Sequence, residues 1–189
     1  SDTTGTGMVA WNWKAGGATT VTNNDGDIES EVSANTTAGF SIVSYTGEDV
    51  AGDTVGHGLS KAPELWIVKK LATADWWAVG STHGIDATKY LQLNTDAAAV
   101  THTTVWNDTP PTPSVFSLGT ADAVNYTTDY IAYCFHSIEG YSKVGSYVTN
   151  TSSASTNNGN FLYTGFKPAW FLNKMISGPD GTGGWFLYD

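Results

Sequence analysis

Short β-branched and aromatic runs alternate along the chain with clusters of Gly, Asn, Asp, Pro and Thr. The runs fall at 40–45, 64–69, 76–79, 89–93, 115–118 and 130–133. Between them stand turn formers such as Thr46-Gly47, Gly56-His57-Gly58, Asn107-Asp108-Thr109-Pro110-Pro111 and Asn157-Asn158-Gly159. Leu91 and Leu93 alternate with Gln92 and Asn94, the period of two that a half-buried strand requires. In Leu65-Trp66-Ile67-Val68 both faces are apolar, which points to packing in a core or at a subunit interface. Apolar residues are not sustained at helical spacing, and the apolar runs end far short of the roughly 20 residues a membrane helix needs. The pattern predicts an all-β protein, an antiparallel β-sandwich or barrel.

The strands also recur. Gly39-Phe40-Ser41 reappears as Gly140-Tyr141-Ser142, and Pro63 through Lys69 aligns with Pro168 through Lys174. Asp75-Trp76-Trp77-Ala78-Val79 aligns with Gly184-Trp185-Phe186-Leu187-Tyr188, and Met8 through Trp13 resembles Tyr130 through Phe135. Small drifts between these alignments are loop-length changes, which cost little. The expected organisation is an internal repeat. Residues 39–139 form one complete unit, 1–38 the terminal strand of a preceding unit plus a junction (18–38), and 140–189 the first half of a second unit. The chain then reads as a window on a longer array; the alternative is that 1–17 and 140–189 pair to complete a second lobe.

Charge and cysteine usage narrow the function. Eighteen acids face eight basic residues, all of them Lys, for a net charge of −10. A chain with no Arg and no basic patch lacks the means to grip nucleic acid, so no nucleic-acid partner is expected. No secretory signal is visible in Ser1-Asp2-Thr3-Thr4-Gly5, and no membrane insertion is expected. The single cysteine, Cys134, excludes an internal disulfide and thiolate zinc motifs, and its apolar neighbours predict a buried, inert thiol.

Several strings together resemble a domain of unknown function from tailed bacteriophages, especially marine ones. They are Gly39 through Gly47, Val55-Gly56-His57-Gly58-Leu59 with Pro63, Lys89-Tyr90-Leu91 with Asn94, Ser114 through Gly119, Tyr130 through Phe135 and Gly165-Phe166-Lys167-Pro168-Ala169. The resemblance covers essentially the whole chain. It implies a concanavalin-like (jelly-roll-like) β-sandwich in a structural virion protein, a tail fibre or other appendage. Its implied partners are other copies of itself and other virion proteins. The family carries no catalytic residues onto this sequence.

Candidate ligand sites are sparse. Most of the eight tryptophans recur at matched strand positions and are assigned to core or subunit interfaces. Trp106 precedes a loop-like stretch, so Trp106, Asn107 and Asp108 are the nominated carbohydrate contacts, an indole stacking on a sugar ring. Asn23-Asn24-Asp25-Gly26-Asp27 invites calcium, but the EF-hand template puts Val21 and Val32 where carboxylates belong, so an Asx turn is expected and no metal. His57 and His83 lie in no metal-ligand spacing, and no nucleophile elbow or phosphate loop appears. The expected function is therefore non-enzymatic and without cofactor: virion assembly and multivalent host-surface attachment. The alternative is a lectin-like carbohydrate-binding module, followed by a polysaccharide-degrading glycosidase.

Overall fold

The computed structural model describes residues 10, 12–17, 19–72, 77–149, 160–177 and 183–189. Twelve strands and one helical turn are present among them: β1 Val21–Asn23, β2 Ser30–Asn35, β3 Phe40–Thr46, β4 Thr54–Gly56, β5 Leu65–Lys70, β6 Trp77–Ser81, β7 Lys89–Gln92, β8 Val100–Thr101, α1 Thr103–Trp106, β9 Val115–Ser117, β10 Asp129–Phe135, β11 Phe171–Lys174 and β12 Trp185–Tyr188. Eight strands form one antiparallel sheet in the order β1-β2-β3-β10-β5-β6-β7-β8. Two further antiparallel pairs, β4–β9 and β11–β12, stand apart from it.

Strand alternation sends two sets of side chains to opposite faces of the large sheet. On one face Val43, Val68 and Ala132 lie in a single cross-strand row, Ala132 facing Val43 on one side and Val68 on the other. Val55 of β4, Phe116 of β9, Leu118, Val105, Trp106 and Val124 complete this main core. On the other face Ile67, Val79 and Leu91 make a row across β5, β6 and β7, joined by Ile85, Ile176 and Trp185. The doubly apolar run at 65–68 is thus a central strand with a core on each side.

Polar groups pin the loops over the main core. The Asn125 side chain is fully buried and donates from Nδ2 to the carbonyls of Val50 (2.9 Å) and Gly119 (3.0 Å), while its Oδ1 accepts from Glu48 N (2.9 Å). Tyr45 Oη donates to Val124 O (2.7 Å) and Tyr130 Oη to Asp122 O (2.6 Å). Buried loop backbone must be satisfied in this way because no ladder reaches it.

Two expectations meet a different arrangement. The segment 18–38, read as a junction, supplies β1 and β2 to the large sheet and places Ile28 and Val32 in the main core. Its strand character was masked by polar residues: Ser30 is buried and satisfied by donating its hydroxyl to Gly56 O (2.9 Å). Residues 141–147, aligned in sequence with β3, hold no strand; only an isolated bridge joins Ile138 and Ser142. The β11–β12 pair does resemble β5–β6, with Lys174 opposite Trp185 as Lys69 is opposite Trp77. Its register is one residue away from that implied by aligning 75–79 with 184–188. Met8, Val9 and Trp11 of the N-terminal repeat, Asp75, Trp76, and the Asn157-Asn158-Gly159 turn lie outside the described residues.

Candidate functional site

The loop after β6 and the loop after α1 approach each other over the edge of Trp66 and enclose a cleft of about 340 Å³. That is near the lower end of ligand-pocket sizes, roughly 300–1,000 Å³. Trp66, Ser81, Ile85, Asp86, Asp108 and Pro110 contribute to its lining, and Pro111 and Thr88 extend it.

Each wall has a local cause. Asp86 accepts hydrogen bonds from Thr88 N (3.0 Å) and Thr88 Oγ1 (2.5 Å), a turn that an Asp two residues before a Thr forms readily. The Thr88 hydroxyl, and then its N–H, hold the exposed Asp86 carboxyl below the usual range, so it is ionised at neutral pH. Ser81 Oγ donates to Glu64 O (3.0 Å) and accepts from His83 N (3.1 Å), which anchors the start of this loop to β5. The opposite wall follows the single turn of α1. Asn107 (φ 52°) and Asp108 (φ 50°) are consecutive left-handed residues, a conformation that Asn and Asp tolerate best among side chains with a Cβ. Thr109 N closes the turn on Trp106 O (3.0 Å), and Pro110 and Pro111 then stiffen the rim.

Beneath this rim His57 acts as a brace. It is fully buried; Nδ1 accepts from Leu59 N (3.1 Å), so Nε2 carries the proton and donates to Thr112 O (3.1 Å). Burial lowers its pKa, outweighing the Thr112 carbonyl, so the ring is neutral at neutral pH. His83 pairs instead with Glu64, Nε2 to Oε1 at 3.2 Å. Burial alone raises the Glu64 carboxyl, but hydrogen bonds from Ser137 and His83 outweigh it and the net direction is down.

The three nominated carbohydrate contacts separate in space. Asp108 lines the cleft. Asn107 is exposed on the same turn but does not line it. Trp106 is 0% exposed and packs edge-on against Trp66, ring centres 5.2 Å apart, within the main core. An indole enclosed on every side has no face to offer a sugar, so the expected stacking role does not fall to Trp106. Its place before a loop-like stretch was misleading because one helical turn folds the side chain inward while the next two residues turn out. Asp86 and Trp66 escaped notice as site residues, although the Asp-x-Thr spacing marked the turn.

Other nominated groups are structural. Asn23 and Asp25 make the expected Asx turn, Asp25 N donating to Asn23 Oδ1 (3.0 Å). Among the described residues no group of three or more His, Cys, Asp or Glu is placed to hold a metal ion. The Cys134 thiol is fully buried, and burial pushes it up to about 12, with Ser41 partly opposing. It is a neutral thiol at neutral pH.

Chemically, the cleft combines two carboxylates with apolar walls and has no Lys or His in its lining. It repels anions, and its carboxylates accept hydrogen bonds from hydroxyl or ammonium donors. A family model described as "Domain of unknown function (DUF7483)" matches residues 1–189. No curated protein and no solved structure matches the chain.

Proposed function

The chain belongs to the DUF7483 family over its whole length, and from that premise we propose that it is a structural module of a bacteriophage virion. In this reading it forms part of a tail fibre or other surface appendage and acts by assembly and multivalent attachment to the host surface. The observation that carries assembly is a set of exposed aromatic side chains among the described residues after 160, on the β11–β12 ribbon and in the stretch before it. Phe161 is 88% exposed, Tyr163 81%, and Phe186 and Tyr188, on the outward side of β12, 52% and 59%. Exposed apolar clusters of this kind mark interaction surfaces, and a two-stranded ribbon gains stability when a partner covers it. The phage assignment is supported by the sequence resemblance alone.

The finer architecture belongs to the same proposal: a concanavalin-like β-sandwich in which 39–139, completed by β1 and β2 of the preceding segment, is one unit and 140–189 the first half of the next. The antiparallel pairing of β11 with β12, as of β5 with β6, supports it, although the register differs by one residue from that of the aligned strands. No catalytic step is included, since His57, Glu64, His83 and Cys134 all have structural placements. The test is mass spectrometry of purified particles, which should find this chain at many copies. Its absence from virions would overturn the assignment.

The cleft favours a second reading, a lectin-like module that binds cell-surface glycans. Its apolar walls suit the C–H face of a sugar, and Asp86 and Asp108 suit the hydroxyls. A glycan array probed with wild type, Asp86→Ala and Asp108→Ala decides it. Binding lost in both variants supports the reading; no binding by wild type removes it.

A further inference from the structure

We propose that the chain assembles head to tail with a second copy of itself, the aromatic β11–β12 ribbon of one copy docking on the β1 edge of the next. This rests on the assembly reading above and names its partner and its two surfaces.

The first argument is charge. Residues 140–189 hold three lysines against two aspartates, a net of +1, whereas residues 1–139 hold five lysines against sixteen acids, a net of −11. Lys143 and Lys167 are exposed in the C-terminal part. Around β1, Asp25, Asp27 and Glu29 are exposed and Glu31 is half-buried. The C-terminal part is thus weakly basic and aromatic, whereas the segment 19–35 around β1 carries four acids and no lysine. That is the complementarity that steers two unlike surfaces together and disfavours pairing of like ends.

The second argument is backbone. Among the described residues β1 is the outermost strand of the large sheet, with Val21 69% exposed. Among the described residues no third strand joins β11–β12. An open edge and an open ribbon satisfy each other by strand addition, in which main-chain hydrogen bonds supply affinity and side chains supply specificity. On the ribbon, Phe171 and Tyr188 share the outward face, ring centres 6.1 Å apart, with Phe186 beside them. These rings cover Val21, while Lys167 meets the acids of the 25–31 segment. The two surfaces differ and lie on different elements, so the contact is heterologous and adds copy to copy beyond the dimer, into a ring or an open fibre according to the rotation between copies.

Sedimentation velocity of the full chain tests this at low and high salt. Wild type should form a concentration-dependent series of species beyond the dimer at low salt, and lose it at high salt. An edge variant, Val21→Lys with Glu29→Lys, and a ribbon variant, Phe186→Ser with Tyr188→Ser, should each be monomeric alone. Mixed, they should form a 1:1 heterodimer that grows no further, because each keeps the surface the other lacks. Tyr188→Lys alone, an exposed position on the ribbon, repeats the ribbon test should the double variant fail to fold by circular dichroism. A wild type that is monomeric throughout, or that stops at a dimer, overturns the proposal, as does a mixture that stays monomeric. These outcomes are independent of whether the chain is found in virions, so failure here and failure of the virion reading are separable.

Discussion

The indole of Trp66 lies flat across the neighbouring strand at Gly80, its register partner on β6, and this contact gives the sharpest test of the packing beneath the cleft. A Cβ added at Gly80 would stand 2.2 Å from both Cε2 and Cζ2 of Trp66 and 2.7 Å from Nε1. Carbon atoms in good contact sit about 3.5–4.0 Å apart, so the ring would have to retreat by roughly 1.3 Å or more. It cannot do so freely, because Trp66 is fully buried and packs edge-on against Trp106. Overpacking of a rigid site costs about 1–3 kcal/mol, and a bicyclic ring wedged against a second indole places Gly80→Ala near the upper end. Trp66→Leu removes the obstructing ring at its own cost in lost burial, and the alanine methyl then enters freed space. The double variant should therefore be more stable than additivity allows, with a coupling of about 1–2 kcal/mol. Urea unfolding followed by far-UV circular dichroism measures all four corners of the cycle. A Gly80→Ala cost below about 0.5 kcal/mol, the level of an ordinary surface change, or strict additivity in the double variant, would refute the argument.

Three further outcomes follow from the same geometry. His57 has its folded pKa lowered from 6.5 by burial, so its neutral form contributes stability that is complete above 6.5 and is lost as pH falls through the folded value; the urea midpoint of wild type should drop on acidification below 6.5, and His57→Gln should lessen that drop. The Cys134 thiol, pushed up to about 12 and enclosed, should resist a thiol reagent at pH 8 in the native state and react promptly in denaturant; fast native labelling would contradict the placement. Asn107, at φ 52°, should accept glycine with little change, whereas Asn107→Val should destabilise by about 1–2 kcal/mol in thermal or urea unfolding.

The six runs legible in the chain correspond to β3, β5, β6, β7, β9 and β10, where alternating or doubly apolar side chains report directly on burial. β1, β2 and β4 went unread because their inward positions are partly Ser, Thr or Gly, whose burial depends on partners elsewhere, as Ser30 depends on Gly56. The candidate site was legible only in part. Asp108 was marked by its turn, but the partners of that turn come from a loop about twenty residues earlier, and nothing local says that the two meet.

By itself the sequence determined the strand class, the interior placement of Cys134 and the Asx turn at Asn23, because each follows from side-chain type at short spacing. Tertiary structure alone decided which of Trp106, Asn107 and Asp108 faces the cleft, that Trp66 floors it, and that residues 21–35 belong to the large sheet. Those facts depend on which distant strands pair and in what register. A one-residue shift of register exchanges the inner and outer faces of a strand, and short-range periodicity carries no information about that choice.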